Sequence, residues 1–95
     1  MYDVYQTELF QNQFQSLSKE IQKEADSIIK KLQNGSETGK PLKGLLKDCK
    51  TVRVKREYRL VFRFHGSQNR LELISIGYRK KFYKELERLK RKGYL

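Results

Sequence analysis

The chain is poor in the side chains that most enzymes rely on. Its 95 residues hold one histidine, one cysteine and 11 Asp plus Glu against 22 Lys plus Arg. One histidine excludes a two-histidine acid–base pair within one chain. A metal-assisted nuclease needs carboxylates or histidines clustered as ligands; beyond Asp48 the only acids are Glu57, Glu72, Glu85 and Glu87, each set among cations. No Gly-rich phosphate loop of the Walker or Rossmann kind is present. A single cysteine, Cys49, allows no intrachain disulfide, so a reducing cytoplasm is the expected compartment. With no histidine near it in sequence, Cys49 reads as a small core residue rather than a nucleophile. No apolar run nears the roughly 20 residues of a membrane span, and residues 1–5 lack the basic-then-apolar pattern of a signal peptide. The expectation is one domain over residues 1–95, with no membrane, metal or cofactor in its function.

What the chain has in excess is positive charge, unevenly placed. The net charge is +11, and all eight arginines lie in the second half. Residues 1–50 carry eight Lys and seven acids, a balance of +1; residues 51–95 carry six Lys, eight Arg and four acids, a balance of +10. A general solubility device does not require that asymmetry, whereas a basic binding face produces it. Four of these eight arginines punctuate residues 50–64, where apolar positions alternate with charged ones. Successive side chains of a strand point to opposite faces, so the pattern predicts a cationic stripe on one side of a sheet. A guanidinium grips phosphate in two-pronged fashion, as an ammonium cannot. The partner this predicts is a polyanion, nucleic acid first of all.

Periodicity predicts a short opening strand around Tyr2 and Val4, then two helices. Thr7 caps the first, with Phe10, Phe14 and Leu17 in helical spacing; Ser18 caps the second, which carries Ile21, Ala25, Ile28, Ile29 and Leu32 and ends at Asn34-Gly35. Residues 35–40 are loop-like, and Leu42, Leu45 and Leu46 suit a short turn on the core. Three strands follow: one through Val52 and Val54; one through Tyr58, Leu60, Phe62 and Phe64; and, after a hairpin turn at residues 65–69 that leaves His65 exposed, one over residues 71–76. Phe82, Tyr83, Leu86 and Leu89 mark a basic final helix. The order β-α-α-β-β-β-α implies an α+β fold, a small antiparallel sheet with two N-terminal helices and a C-terminal helix packed on it.

Arg, Lys and Tyr remain as chemical groups, and they suffice for RNA cleavage because RNA supplies its own nucleophile, the 2′-OH beside the scissile phosphate. Guanidiniums suit the charge that builds up on the phosphorus. A Lys or Tyr among like charges suits proton transfer.

The strings Pro41-Leu42-Lys43-Gly44-Leu45, Arg53-Val54-Lys55, Glu57-Tyr58-Arg59-Leu60-Val61-Phe62 and Ile76-Gly77-Tyr78-Arg79, with Tyr83 four residues on, resemble the RelE/ParE toxin superfamily of type II toxin–antitoxin pairs. The element order matches over nearly the whole chain. The RelE branch implies a ribosome-dependent mRNA endonuclease, a cognate antitoxin, contacts to ribosomal RNA, and operator DNA bound only through the antitoxin complex. By position the resemblance assigns the site to Arg53 and Lys55, or to Thr51 and Arg53 in the other register, with Arg59, Arg79 and Tyr83. Arg59 and Arg79 would hold the phosphate and its transition state. Arg53 or Lys55 would stabilise charge or move a proton, and Tyr83 would stack on or orient a base. Lys50, Arg56, Arg63, Lys80 and Lys81 are candidate RNA contacts without chemistry. Arg88, Lys90, Arg91 and Lys92 read as a solvated face.

Two other functions share these features. The ParE branch has the same fold, is directed at DNA gyrase and typically lacks the nuclease cations. A non-catalytic RNA- or ribosome-binding module would use the same basic strand.

Overall fold

The structure is a computed structural model that describes residues 1–80 and 82–94; Lys81 and Leu95 lie outside the described residues. Strand β1 (Asp3–Gln6) leads to helices α1 (Glu8–Gln15) and α2 (Lys19–Gln33). Both helices start where their capping residues dictate. The Thr7 hydroxyl accepts from the Phe10 N–H at 3.0 Å, and Ser18 Oγ from the Ile21 N–H at 3.4 Å. Asn34 ends α2, and Gly35 follows in the left-handed region at φ +86°. A two-residue strand β2 (Lys40–Pro41) and a turn of 3₁₀ helix (Gly44–Leu46) precede β3 (Lys50–Val54), β4 (Tyr58–His65), β5 (Arg70–Tyr78) and α3 (Phe82–Arg91).

The five strands form one sheet in the order β1-β5-β4-β3-β2. Strands β2 to β5 are antiparallel as expected, but β1 joins β5 in parallel, so the sheet is mixed. Two helices and three strands lie between β1 and β5 in sequence, long enough for the chain to return in the same direction. The two-residue β2 leaves no pattern in the sequence, and Pro41 has no N–H to give a ladder.

Strand β4 is buried on both sides. Leu60 and Phe62 face α1 and α2, packing with Phe10, Ala25, Leu32, Val54, Leu71, Leu73 and Ile76. Val61 faces the opposite way, into a second cluster with Leu46, Cys49, Ile74, Phe82 and Leu86 under α3. Full burial of such side chains contributes roughly 1.5–3 kcal/mol each. The face predicted to be a cationic stripe is therefore covered by α3 over its middle. The Phe82 ring lies on Gly77, where a Cβ would stand 2.9 Å from Phe82 Cδ1.

A second close approach fixes the loop between α2 and β2. Gly39 has φ +70°, and a Cβ there would meet Phe62 Cζ at 2.5 Å and the Thr51 carbonyl at 3.0 Å; Gly44 has φ +67° with open space around it. Gly44→Ala incurs the left-handed penalty alone, about 1 kcal/mol. Gly39→Ala adds a clash with a core ring and is expected to lower stability by about 2–4 kcal/mol. Thermal denaturation followed by circular dichroism checks the difference; equal losses would mean that Phe62 moves aside freely.

Candidate functional site

Strands β3 and β4 pair Arg53 directly with Arg59, and β5 places Gly77 beside Arg59. The next row joins Thr51, Val61 and Ser75. Thr51, Arg53 and Arg59 thus share the face on which α3 packs, at the end that α3 leaves open. They line a cleft of about 460 Å³ with Val52, Glu37, Gly39 and Lys40, a size that accommodates a small ligand or part of a larger one. The cleft exists because β2 is short. Lys40 pairs with Thr51, but upstream of it the chain leaves the β3 edge at Gly39, opening a gap beside Val52 and Arg53.

Arg53 is exposed and has no side-chain partner among the described residues. Arg59 is half-buried; its Nη1 donates to the Arg56 carbonyl at 2.8 Å and the Tyr58 carbonyl at 3.1 Å. These bonds brace the hairpin turn, in which Lys55 and Arg56 adopt φ 57° and 86°, values that strain a residue with a side chain. A guanidinium has five donors, so bracing the turn leaves Nε and Nη2 for a ligand. Like charges directly opposite in a ladder repel, and among the described residues no carboxylate bonds to either guanidinium, so the pair is suited to gripping an anion between its members.

Tyr83 reaches this face from α3. Its hydroxyl lies 3.2 Å from Thr51 Oγ1, and the Thr51 hydroxyl donates to the Leu60 carbonyl at 3.1 Å. Thr51 has one proton to give, so Tyr83 donates to Thr51, keeping its own oxygen lone pairs for another donor. Its ring packs edge-on against Phe82, 5.2 Å between centroids. Arg79 stands just past β5; its Nε pairs with Glu57 Oε2 at 3.1 Å, and its N–H bonds the Glu57 carbonyl at 2.8 Å. Both side chains of this pair are largely exposed, so a stronger anion can displace Glu57 at little cost.

The structure thus brings Arg53, Arg59 and Tyr83 together around Thr51, with Arg79 at the hairpin end of the same sheet. Lys55 is not among them. It follows the last residue of β3, and its ammonium pairs with Glu20 of α2 at 3.1 Å, so of the two registers the one holding Thr51 and Arg53 faces the cleft. Lys50 points to the α1–α2 side, its ammonium 5.5 Å from the Phe64 ring centre. Arg56 and Lys80 are exposed near the turn and after β5, and Lys81 lies outside the described residues. Glu37 and Lys40 line the cleft without having been singled out from sequence: loop composition gives no periodicity, and only the Gly39 contact shows where the loop sits.

Arg63 has a different role from the RNA contact expected of it. Its guanidinium pairs with Asp48 at 2.6 Å and Glu72 at 3.0 Å. Glu72 also bonds His65 at 2.9 Å, and Asp48 bonds Lys90 of α3 at 2.9 Å. His65 is therefore partnered on the last residue of β4, not loose in a turn, and Lys90 is tied inward rather than solvated. Hydrogen bonds from Lys90 and then Arg63 outweigh partial burial and hold the Asp48 carboxyl down at about 2. Burial raises Glu72, but His65 and Arg63 outweigh it and leave it below its ordinary value. Burial, with the Asp48 charge adding to it, pushes the Cys49 thiol up to about 11, which removes it as a nucleophile at neutral pH. No group of three or more His, Cys, Asp or Glu that would hold a metal forms among the described residues.

Because the Asp48 carboxyl is depressed in the fold, its stabilisation is present above the ordinary value near 4 and is lost as pH falls toward about 2. Asp48→Asn is expected to lower stability by about 1 kcal/mol at pH 7 and by almost nothing near pH 2. Denaturant melts across that range, with carbon-detected NMR titration of the carboxyl, check both; a midpoint near 4 would show the network to be open in solution.

A family model described as a ParE-like toxin domain matches residues 19–76, more than half of the chain. No curated protein sequence matches. Among solved structures, the isolated Escherichia coli RelE toxin superposes with a TM-score of 0.74 at 18% identity, over 96% of this chain and 98% of that one. A YoeB/ParE toxin from Agrobacterium tumefaciens gives 0.70 at 24% identity, over 82% and 98%. The Mycobacterium tuberculosis RelBE2 toxin–antitoxin complex gives 0.67 at 20%, over 82% and 98%. Fold and family model agree with the motifs of strands β3 to β5: the chain belongs to the ParE-like toxin family, within the RelE/ParE toxin superfamily.

Proposed function

We propose that this protein is the toxin of a type II toxin–antitoxin pair and acts as a metal-independent endoribonuclease on mRNA held by the ribosome. The observation that carries this reading is the Arg53–Arg59 cross-strand pair, lining an open cleft with no carboxylate among the described residues bonded to either member. Like charges so placed destabilise a sheet, and a bound phosphate turns that repulsion into attraction. In the reaction the RNA 2′-oxygen attacks the adjacent phosphorus, the bond to the 5′-oxygen breaks, and a 2′,3′-cyclic phosphate remains on the upstream fragment. Arg53 and Arg59 meet the negative charge that grows on the non-bridging oxygens. Arg79 exchanges Glu57 for the neighbouring phosphate, and Tyr83, held through Thr51, orients the nucleotide. The ribosome supplies the in-line arrangement of the mRNA that so open a cleft leaves unenforced.

A cognate antitoxin is the expected partner, since several similar structures are toxin–antitoxin complexes. An acidic antitoxin segment would neutralise the +11 charge, and operator DNA would be met only through that complex. The cytoplasm, where ribosomes are, is the matching compartment. No helix among the described residues is long and apolar enough to cross a membrane.

The test is primer extension on a defined mRNA with and without ribosomes. Wild type is expected to cut within codons only when ribosomes are present. Arg59→Ala is expected to lower the single-turnover rate about 10²–10³-fold, and Arg53→Ala comparably, with ribosome affinity changed less than about tenfold. Losses confined to affinity and its salt dependence would instead identify an RNA-binding module. Uncut RNA together with growth arrest would point to the gyrase-directed branch, read next by a supercoiling assay.

A further inference from the structure

Seven residues line the cleft, and one of them, Glu37, is a carboxylate. Its placement is built rather than incidental. The Glu37 N–H bonds the Lys31 carbonyl at 3.1 Å, anchoring the loop to the last turn of α2. Its Oε2 accepts from the N–H groups of Thr38 at 3.0 Å and Gly39 at 2.9 Å. Gly39 in turn is seated against the Phe62 ring and the Thr51 carbonyl, so the loop bearing Glu37 is located by the core itself. With Oε2 held by two backbone donors, Oε1 has no partner among the described residues.

We propose that Glu37 is the general base of the cleft, taking the proton from the 2′-OH of the bound nucleotide. This rests on the endoribonuclease reading above and names the group that reading lacks. The other cleft side chains are poor candidates. Arginine does not deprotonate in proteins, which removes Arg53 and Arg59. Lys40 is a cation in its ordinary state and must lose a proton before it can take one. Tyr83, at the border of the cleft, has its proton engaged with Thr51. Lys55, offered by the sequence, is turned toward Glu20 on α2. A carboxylate needs no prior deprotonation at neutral pH, and the charges facing it, Lys40, Arg53 and Arg59, draw the anionic substrate toward it. The step balances without any co-reactant. The 2′-hydroxyl proton passes to Glu37 as the 2′-oxygen bonds phosphorus. The 5′-oxygen leaves with the electron pair of its broken bond and takes a proton from water. Glu37 then returns its proton to solvent.

Single-turnover cleavage of ribosome-bound mRNA by wild type, Glu37→Gln, Glu37→Ala and Arg59→Ala tests this. Gln keeps an oxygen to accept from Thr38 and Gly39 but is no base, so both Glu37 variants are expected to lose about 10²–10⁴-fold in rate with ribosome binding unchanged. Added formate is expected to restore part of the Glu37→Ala rate, where chloride at equal ionic strength does not. Wild-type cleavage together with a Glu37→Gln rate within about threefold of it, or no formate rescue of Glu37→Ala, would overturn the assignment of the base and leave the endoribonuclease reading standing. Intact RNA with wild type, and so nothing for Arg59→Ala to lose, would overturn both.

Discussion

The burial of Val61 beneath α3 is the constraint on which the rest of the arrangement turns. Side chains two apart on a strand share a face, so Arg59 and Arg63 must face the same way as Val61. Once α3 covers Val61 with Phe82 and Leu86, one arginine emerges at each end of the covered patch. At one end Arg63 meets Asp48 and Glu72, with Lys90 joining through Asp48, and its charge becomes part of the scaffold that ties α3 to the sheet. At the other end Arg59 meets Arg53 and the carbonyls of its own turn. Two residues of the same type, four positions apart, thus have opposite fates, decided by whether an acid is placed opposite.

That difference explains which part of the site the sequence could reveal. Alternation through residues 50–64 locates β3 and β4 correctly, and the caps at Thr7 and Ser18 locate α1 and α2, because those signals act over a few neighbouring residues. The motif resemblance singles out Arg53, Arg59, Arg79 and Tyr83, which the fold gathers at one end of the sheet. Partners distant in sequence were beyond local reading. Asp48 and Glu72 are 15 and nine positions from Arg63, and Glu20 is 35 positions before Lys55 (55 − 20), so nothing local marks Arg63 or Lys55 as engaged. The hairpin turn is the other reason: β3 stops at Val54, and the left-handed turn that follows carries Lys55 off the strand period.

The electrostatics of the two ends argue in the same direction. Where charge serves stability, the network pairs it. Asp48 sits between Lys90 and Arg63, and Glu72 between Arg63 and His65, with no buried side-chain polar atom left unsatisfied among the described residues. The cleft end is paired less fully: Arg53 opposes Arg59, Lys40 adds a third cation, and the one lining carboxylate, Glu37, bonds its own loop backbone and forms no ion pair among the described residues. Unpaired like charge raises the energy of the folded state, and it persists here beside a turn that holds two non-glycine residues in left-handed conformations. Strain and repulsion gathered at one place are the usual mark of a binding or catalytic site.

On the proposed reading, a cleft built this way would divide the two demands of RNA cleavage between separate elements. Anion recognition would come from β3 and β4, whose cross-strand register fixes the Arg53–Arg59 pair. The proposed proton acceptor, Glu37, lies on the loop between α2 and β2, set by the contact of Gly39 with Phe62. The two meet only because β2 ends after two residues and lets the loop stand away from the β3 edge. A longer β2 would continue the ladder past Thr51, bring the loop backbone against Val52 and Arg53, and close the space in which a nucleotide would lie. The brevity of one edge strand is thus as much a part of the site as the arginines themselves.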